Sequence, residues 1–571
     1  MVPLAEVYND PLPRPQSLWH MLNSAADAHA DSAAITSMHQ APNHLAKLIR
    51  NPKTRSNDPW LCWTHADVKR AALSVSAGMT AAGVQRGPTV ATFISNGVES
   101  ELMLWIAAVL QITLVPLDFG LVMKGRREQL DDYLKRLNPD VVVVGDEAGA
   151  EALDEALDEA LGECGLDTIL RVVCSETERD GWRSFESLGV AELTDEQEAS
   201  VTKQDAGIEK HGDRPAVILF TSGTSTGRPK GCPLSATNVL NASVNLAAVR
   251  DLPNGILVQS VNFRSISYMI STIALGTGRH IIMPAATFST STTLDAVEKC
   301  KAEFLICIPV QVQMFAQDPT FKYRDLSSLR RVAIGGDMVT TDVLVKARSM
   351  FPHTHVDTGH GMTEGVGVLG WGPDTLHDDV PEHHGILSVG VPAQGTNVRI
   401  CDQNGNIVGR GEEGELHLGG FSMVPGYLGG EQPEASYQDS HGNWLKTGDR
   451  AFMTEKGAVF MIGRIKDIIK KVGISLSPAV IESVLNSREG VQASVFGMPD
   501  PRYGEVPVAV VRDKPSEDLK RVVVDKLGSE HALQDVVTLE ELGLESFPYN
   551  QTMKVMKITL REALQRKLGQ T

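Results

Sequence analysis

An apolar segment of strand length, residues 216–220, leads directly into a loop of small hydroxyl and glycine residues that ends in Pro229, Lys230 and Gly231. Glycines let consecutive backbone N–H groups turn toward one point, and hydroxyl side chains add short donors. The lysine supplies a positive charge. The pattern therefore predicts a phosphate-binding loop formed by Thr221, Ser222, Gly223, Thr224, Ser225, Thr226, Gly227 and Lys230.

This loop differs from a Walker A sequence, which has glycine directly before its lysine. Here Pro229 holds that position. A flexible surface loop is the alternative that such a composition usually indicates. The strand directly before the loop and the stiff Pro-Lys-Gly end favour phosphate binding.

Strand and helix patterns alternate through the first part of the chain. From residue 60 the order is a strand to 64, a helix at 66–83, a strand at 89–94, a helix at 99–110 and a strand at 114–118. This order predicts parallel sheets covered by helices. Residues 385–428 are rich in Gly, Val and Pro with short alternating runs, which predicts an antiparallel, barrel-like subdomain.

Two helices are also expected outside that core, at 19–30 and at 149–162. In the second, leucines recur every four residues, which indicates a surface helix with one packed stripe. A partner-binding helix is the alternative. Residues 39–58 are expected to form a loop insertion. At 571 residues the chain exceeds one hydrophobic core, so at least two domains are expected.

Charge and composition exclude several classes of partner. The net charge is −18 and the pI is near 5.4, which disfavours binding to nucleic acid or to an anionic membrane surface. The seven cysteines show no metal-ligand spacing and indicate reduced thiols. The longest apolar stretch, 102–117, is too short to span a membrane. With no secretory signal and no peroxisomal address, the expected location is the cytoplasm.

Further motifs follow the loop in a fixed order. They are Thr-Gly-His-Gly-Met-Thr-Glu at 358–364, Thr-Gly-Asp at 447–449, Gly-Arg-Ile-Lys-Asp at 463–467 and a lysine-containing tail at 548–557. Together with the loop they resemble the motifs of the adenylate-forming superfamily, which includes acyl-CoA synthetases, luciferases and peptide-synthetase adenylation domains. The phosphate loop here has one residue more than the family pattern, in the segment 224–226.

The resemblance implies an α/β fold. Its large N-terminal AMP-binding domain, residues 1–463, would contain two helix-covered sheets and a distorted β-barrel. A hinge would join it to a small, mobile α+β domain, residues 464–571. The implied activity is ATP-dependent conversion of a carboxylic acid to acyl-AMP with release of pyrophosphate, followed by transfer to the thiol of CoA.

Two alternatives to CoA ligation stay open: loading of a separate carrier protein or an amine, and a catalytically weak nucleotide- or acyl-binding protein. Because 17 residues follow Lys554, we expect no fused carrier domain.

The resemblance also assigns residues to the nucleotide and the metal. Asp449 would receive the ribose hydroxyls, Arg464 would reach ribose and phosphate, and His360 would take the place of the family's aromatic over adenine. Thr363 and Glu364 pair a hydroxyl with a carboxylate, which suits Mg²⁺. The other implied nucleotide contacts are Gly335, Gly336, Asp337, Thr358, Gly359, Gly361 and Met362.

Lysines carry the implied catalytic steps. Lys554 would bridge the carboxylate and the α-phosphate, with Lys557 as the other candidate in this degraded motif, where Met553 replaces the family's glycine. Lys466 would be the hinge. After the small domain swings, Lys470 and Gly473 would face the site, and the glycine would leave room for a pantetheine arm.

The substrate pocket is expected to include Asn262, Phe263, Arg264 and Gly365. Arg264 is a permanent cation with a planar fork of donors. It is expected to point to solvent, to pair with Asp337 or another acid, or to read a polar group of the substrate.

Overall fold

The computed structural model describes most of the 571-residue chain. The described residues are 3–10, 17–49, 59–85, 87–123, 126–161, 169–175, 178–189, 193–202, 214–221, 228–245, 256–258, 261–371, 380–431, 433–488, 490–513, 518–550 and 554–569. Six residues of the predicted phosphate loop, 222–227, and Met553 lie outside them.

The described residues form fourteen α-helices and twenty-nine strands. The helices are α1 Leu18–Ala28, α2 His65–Ala81, α3 Val98–Leu110, α4 Arg127–Leu137, α5 Glu147–Leu161, α6 Asp195–Thr202, α7 Ala236–Asn245, α8 Tyr268–Gly276, α9 Thr290–Cys300, α10 Pro309–Gln317, α11 Thr341–Met350, α12 Pro478–Asn486, α13 Leu519–Leu527 and α14 Lys557–Lys567. The strands are β1 Glu6–Val7, β2 Ala33–Ser37, β3 Leu61–Thr64, β4 Thr89–Phe93, β5 Thr113–Pro116, β6 Val141–Val144, β7 Leu170–Val173, β8 Arg183–Ser184, β9 Pro215–Phe220, β10 Gly231–Ser235, β11 Ile256–Val258, β12 His280–Met283, β13 Phe304–Cys307, β14 Arg331–Ile334, β15 His355–Met362, β16 Gly365–Gly370, β17 Glu382–His383, β18 Ile386–Leu387, β19 Val391–Pro392, β20 Thr396–Cys401, β21 Gly414–Gly420, β22 Ser436–Asp439, β23 Gly442–Met453, β24 Val459–Arg464, β25 Ile469–Lys471, β26 Ile474–Leu476, β27 Ala493–Asp500, β28 Gly504–Val511 and β29 Asp535–Thr538.

Two large, mainly parallel sheets form the core of the first domain. One has seven strands in the order β10-β9-β5-β4-β6-β7-β8, and the other has nine in the order β19-β16-β15-β14-β13-β11-β12-β2-β3. Helix α3 contacts β5 of the first sheet and β2 of the second, and all 13 of its residues are buried. A helix that is apolar on most of its surface belongs in such a buried position. The predicted helix-covered sheets are confirmed.

A six-stranded antiparallel sheet occupies the place of the predicted barrel-like subdomain. Its order is β1-β20-β21-β23-β22, with β24 paired to β23. It begins near the predicted region but extends to Arg464 and takes in the N-terminal strand β1. Sequence patterning could not show this, because β1 joins a partner almost four hundred residues away, with Glu6 opposite Arg399.

The C-terminal part has its own sheet and core. Five strands run in the order β26-β25-β28-β27, with β29 parallel to β28. Helices α12 and α13 pack on each other, and the buried side chains of this part form separate clusters. A short 3₁₀ turn, Ile465–Asp467, joins β24 to β25 and contains Lys466.

The local predictions agree with the observed elements. The helix at 19–30 corresponds to α1, and the helix at 149–162 corresponds to α5, in which Leu153 and Leu157 are fully buried. Residues 39–49 of the predicted insertion contain one short helical turn, Ala46–Leu48. Within the described ranges, no helix is both long and apolar enough to cross a membrane.

Candidate active site

A long cleft lies between the carboxyl ends of the parallel strands, the antiparallel sheet and the C-terminal part. Side chains from widely separated segments line it: Lys230, Asp337, His360, Glu364, Asp449 and Lys554. In α/β proteins, ligands bind at the carboxyl ends of the strands, because loops and not helices cover the sheet there. The candidate site therefore consists of the residues that reach this cleft.

The two ends of the phosphate-loop segment are hydrogen-bonded to each other. Strand β9 leads into the loop and the antiparallel strand β10 leaves it, with Phe220 opposite Gly231. The backbone N–H of Thr221 donates to the carbonyl of Lys230 at 2.9 Å, and the N–H of Lys230 donates to Oγ1 of Thr221 at 3.0 Å. The structure thus brings Thr221 and Lys230 together. The roles of Ser222, Gly223, Thr224, Ser225, Thr226 and Gly227 stay predictions.

A chain of polar contacts links the loop lysine to the acidic residue of the site. Nζ of Lys230 donates to the hydroxyl of Tyr427 at 3.1 Å and lies 4.3 Å from the centre of that ring. The same hydroxyl donates to Oε1 of Glu364 at 2.7 Å. Burial of the tyrosine, together with the nearby carboxylate, raises the pKa of its hydroxyl, so Tyr427 stays neutral.

Tyr427 had no assigned role in the sequence analysis. The available signal was the Gly426-Tyr427-Leu428 segment at the end of the predicted barrel-like region, where a buried aromatic residue is ordinary. Its contact with Lys230 joins residues 197 positions apart, and no local pattern predicts such a pairing.

Thr363 and Glu364 form the two-residue turn of a β-hairpin. Met362 pairs with Gly365 across the β15–β16 connection, so the segment is a turn and does not start a helix. Glu364 is 6% exposed. Among the described residues, no group of three or more His, Cys, Asp or Glu side chains is arranged to hold a metal ion. A Mg²⁺ ion fits here with one carboxylate plus phosphate oxygens of a nucleotide, which is how Mg²⁺ is commonly held.

Asp449 and Arg464 form an ion pair on neighbouring strands. They are register partners on β23 and β24, with Nε of Arg464 3.0 Å from Oδ1 of Asp449. Nη1 of Arg464 also donates to the carbonyl of Thr447 at 2.7 Å. Burial raises the pKa of Asp449 to about 6, although Arg464 opposes the shift. Above that pH the site holds a carboxylate with a fixed orientation.

His360 lies at the carboxyl end of β15 as a neutral ring. Burial, aided by the charges of Lys554 and Arg464, lowers the pKa of His360 to about 4. Its Nε2 is buried and makes no hydrogen bond to the described part of the chain. A neutral imidazole can stack on a flat aromatic ring, as expected for this position. The strand also places Thr358, Gly359, Gly361 and Met362 along the cleft.

The glycines after β14 permit a close backbone approach. Gly336 has φ +80°, and a Cβ there would lie 3.1 Å from Ile308. A Cβ on Gly335 would lie 3.2 Å from the carbonyl oxygen of Gly359. These two glycines therefore lack room for a side chain, and together with Asp337 they line the cleft.

Both lysine candidates in the tail line the cleft, and Lys554 is the one that approaches the predicted nucleotide residues. Its Nζ is 3.9 Å from Oδ1 of Asp337, and its charge acts on both His360 and Asp449. Lys557 instead forms an ion pair with Glu482 at 2.7 Å. The geometry favours Lys554 as the residue that meets the nucleotide.

The other lysines of the C-terminal part lie elsewhere in this pose. Lys470 belongs to the β25–β26 hairpin, and its backbone N–H donates to Glu505 at 2.9 Å. Gly473, at the hairpin tip, has φ +78° and open space around it. Neither residue lines the cleft, whereas Lys466 lies at its edge.

Two of the four residues expected in the substrate pocket reach the cleft, and two do not. Asn262 and Arg264 line it. Phe263 is 2% exposed and its ring packs on Tyr268, so its apolar side chain joins the core. Gly365 faces Met423, whose Sδ would lie 2.1 Å from an added Cβ, so it serves close packing.

Arg264 does not point into solvent. Its side chain is 17% exposed, and Nη1 lies 3.7 Å from Oδ2 of Asp118, which also contacts Arg126 at 3.5 Å. The acidic partner is therefore Asp118 and not Asp337. Burial lowers the pKa of Arg264, and Asp118 opposes the shift.

Arg136 fixes the stem of the phosphate loop from helix α4. Its Nη1 donates to the carbonyl of Pro229 at 2.9 Å, and Nη2 pairs with Glu431 at 3.0 Å. The guanidinium also lies over the ring of Phe220, 5.1 Å from its centre. The sequence held no signal for this role, because a single arginine on an amphipathic helix is ordinary.

Comparison with known proteins places the chain in a family. The AMP-binding enzyme family matches residues 36–428, and the AMP-binding enzyme C-terminal domain matches residues 480–545. The chain belongs to the AMP-binding enzyme family, within the adenylate-forming superfamily. The resemblance drawn from its motifs is confirmed.

Among curated relatives, an acyl-CoA ligase of Pestalotiopsis microspora is 32% identical over 580 residues, which cover 98% of each chain. A feruloyl-CoA synthase of Amycolatopsis is 34% identical over 306 residues, covering 52% of this chain and 60% of that protein.

Solved structures share the fold. The amide bond synthetase McbA of Marinactinospora thermotolerans superposes with a TM-score of 0.76 at 22% identity, covering 96% of this chain and 99% of that one. The ATP-bound MatB of Rhodopseudomonas palustris gives 0.75 at 21% identity, covering 97% and 100%. The large N-terminal and small C-terminal arrangement expected from the sequence is thereby confirmed.

Proposed function

We propose that this chain is an AMP-forming acid–thiol ligase, which uses ATP and CoA to convert a carboxylic acid to its CoA thioester. One observation carries the proposal: Lys230, Glu364, Asp449, Arg464 and Lys554 converge on one cleft from five separate segments. The relatives that are named as CoA ligases support CoA as the acceptor.

In the first half-reaction the substrate carboxylate attacks the α-phosphorus of ATP, and pyrophosphate leaves. A carboxylate is already ionised, so the protein needs no general base and acts by positioning and charge stabilisation. Lys230 and the loop hold the terminal phosphates, and Asp449 with Arg464 orients the ribose. Lys554 meets the carboxylate and the α-phosphate.

A bound Mg²⁺ would be held by Glu364 and phosphate oxygens, beside Thr363, and would supply positive charge to the phosphates. The hydrogen bond from Tyr427 fixes one oxygen of that carboxylate. The protein's part is to keep Glu364 buried, oriented and close to Lys230.

The second half-reaction requires access for a thiol, which attacks the acyl carbonyl and displaces AMP. With Lys554 beside Asp337 in the cleft, access depends on movement of the C-terminal part. We place the boundary between residues 463 and 464, the pivot at Lys466, and Lys470 and Gly473 on the face that would turn inward. The short turn 465–467 between two separate sheets supports a pivot at Lys466, and Arg464 is the last residue of β24 on the N-terminal side of that turn.

The experiment is a panel of carboxylic acids assayed for pyrophosphate release with ATP and Mg²⁺, with and without CoA. We expect release that depends on the acid and a thioester product when CoA is added. Release without any thioester would assign the second step to a carrier protein or an amine. No release with any acid would contradict ligase activity and favour a binding protein.

A further inference from the structure

One guanidinium group outside the cleft holds two segments of the candidate site together. Arg136 lies on helix α4, and its side chain is 11% exposed. Its Nη1 donates to the carbonyl of Pro229 at 2.9 Å, and its Nη2 pairs with Glu431 at 3.0 Å. Pro229 directly precedes Lys230, and Glu431 lies four residues after Tyr427. Arg136 therefore contacts both chain segments that form the Lys230–Tyr427 hydrogen bond.

The same two segments also pack directly on each other. A Cβ on Gly231, at the end of the loop stem, would lie 3.0 Å from the Cβ of Leu428. Phe220 and Leu428 pack against the same apolar cluster. The guanidinium of Arg136 lies over the ring of Phe220, 5.1 Å from its centre. The loop stem thus forms one packed unit with the segment that follows Tyr427.

The segment that carries Tyr427 depends on an anchor at its far end. Gly429 and Gly430 separate Tyr427 from Glu431, and their φ angles are +68° and +70°. Glycine adopts such angles and several alternatives at little cost, so a glycine pair leaves a segment able to change shape. The contact of Glu431 with Arg136 restricts that freedom. The hydroxyl of Tyr427, which links the loop lysine to the acidic residue of the site, is thereby held in place.

A neighbouring ion pair contributes less to this arrangement. Arg228 of the loop stem pairs with Asp132 of α4, with Nε 3.3 Å from Oδ2, and their side chains are 57% and 34% exposed. Exposed ion pairs contribute little, because water screens their charges. Hydrogen bonds from a largely buried charged group contribute more, and the planar fork of an arginine can donate to two partners at once. The arrangement therefore depends mainly on Arg136.

We propose that Arg136 is a positioning residue for ATP, which holds Lys230 and Tyr427 where the terminal phosphates bind. Its own side chain does not line the cleft, whereas those of Lys230 and Tyr427 do, so it acts through them. The effect is specific to the first half-reaction, because the phosphates that Lys230 holds leave as pyrophosphate and are absent from the second. This inference rests on the proposed function, because it concerns how the same site binds ATP.

The test replaces Arg136 by methionine, which keeps an unbranched side chain and removes the donors. Calorimetry with Mg²⁺ and ATP gives the Kd, and pyrophosphate release gives KM for ATP and for the acid. Kd and KM for ATP are expected to rise about tenfold, a loss typical of one hydrogen bond from a charged group. KM for the acid, and thioester formation from a supplied acyl-AMP and CoA, should change less than about twofold, because neither involves the terminal phosphates.

A matched control and a double variant separate this role from a general effect on the fold. Arg127 lies on the same helix and pairs with Asp131 at 3.0 Å, so Arg127→Met should leave the Kd for ATP unchanged. Arg136→Met/Tyr427→Phe should weaken ATP binding by less than the product of the two single effects, because both changes act on one hydrogen-bonded unit. If Arg136→Met does not fold, Glu431→Gln keeps the shape and should still weaken ATP binding about threefold.

The outcomes distinguish the positioning role from the proposed function. Unchanged ATP affinity in both Arg136→Met and Glu431→Gln, equal losses in the two half-reactions, or fully independent effects in the double variant would overturn the role of Arg136 alone. If the wild-type chain neither binds ATP nor releases pyrophosphate with any acid, the proposed function fails instead.

Discussion

Replacing Lys554 by alanine should separate the two half-reactions. Its Nζ lies 3.9 Å from Asp337 and its charge reaches His360 and Asp449, which is the position we propose for the residue that meets the reacting groups. Removing one group that stabilises transition-state charge costs about 3 to 4 kcal/mol, or a factor of about 100 to 1000 in rate. The side chain is 35% exposed, so the free energy of unfolding should change by less than about 1 kcal/mol.

The assay measures each half-reaction separately. Pyrophosphate release from ATP and the acid should fall by that factor, whereas thioester formation from a supplied acyl-AMP and CoA should be retained. Lys557→Ala is the matched control, because Lys557 also lines the cleft but its ammonium group is held by Glu482 at 2.7 Å. If Lys557→Ala lost adenylation selectively and Lys554→Ala did not, the assignment of the tail would be off by three residues.

Four further predictions follow from the same geometry. Lys466→Pro should restrict the pivot and preserve adenylation while thioester formation falls, and equal loss in both half-reactions would contradict a hinge there. Tyr427→Phe removes the hydroxyl that links Lys230 to Glu364, so it should raise KM for Mg²⁺-ATP and weaken nucleotide binding by about 1 to 3 kcal/mol, measured by calorimetry. Unchanged nucleotide binding would refute this role of the hydroxyl. If Arg264 binds a polar group of the acid, Arg264→Met should lower kcat/KM for polar acids by a factor that corresponds to about 2 to 5 kcal/mol of lost binding energy. An equal effect of the substitution on polar and alkyl acids would contradict this role of Arg264 in substrate recognition. Burial lowers the pKa values of His65 and His280 from 6.5 to about 4, so the unfolded chain binds more protons than the folded chain between pH 6.5 and pH 4. The free energy of unfolding should therefore fall as the pH drops through this window, by an amount on the order of 3 kcal/mol from His65, measured by urea unfolding. The variant His65→Leu should no longer show this part of the pH dependence.

Much of the fold could be predicted from the sequence because its local signals agree with its packing. The alternating strand and helix patterns between residues 60 and 118 reappear as β3, α2, β4, α3 and β5 within a few residues. The valine run of β6 also forms a buried strand, as expected for a parallel sheet covered on both faces. These elements depend on periodicity and on apolar runs, which a single sequence displays.

The sequence motifs also predicted which residues would come together in one site, because the order of the motifs along the chain resembles the order in a family of known fold. Thr221, Lys230, Glu364 and Lys554 lie on loops or turns and Asp449 lies within strand β23, and all five line the cleft. The roles of these residues stay predictions, but their convergence agrees with the motif order.

Other parts of the site depend on contacts that no motif reveals. Tyr427 joins Lys230 to Glu364, and Arg136 reaches the phosphate-loop stem from a helix 93 residues away. Phe263 sits within a motif-like run, but its side chain faces the core because the backbone there forms a π-helical turn, Phe263–Ser267. The direction of a side chain in such a turn follows from tertiary packing, which the sequence pattern does not show.

The central claim, activation through acyl-AMP, can be tested by one isotope measurement. The substrate acid is labelled with ¹⁸O in both carboxylate oxygens and turned over with ATP, Mg²⁺ and CoA. Attack of the carboxylate on the α-phosphorus leaves one labelled oxygen in the bridge, and displacement by the thiol carries it away on AMP. Mass spectrometry should therefore find one ¹⁸O atom in each AMP and none in pyrophosphate. Unlabelled AMP, or label in inorganic phosphate together with ADP, would contradict the account.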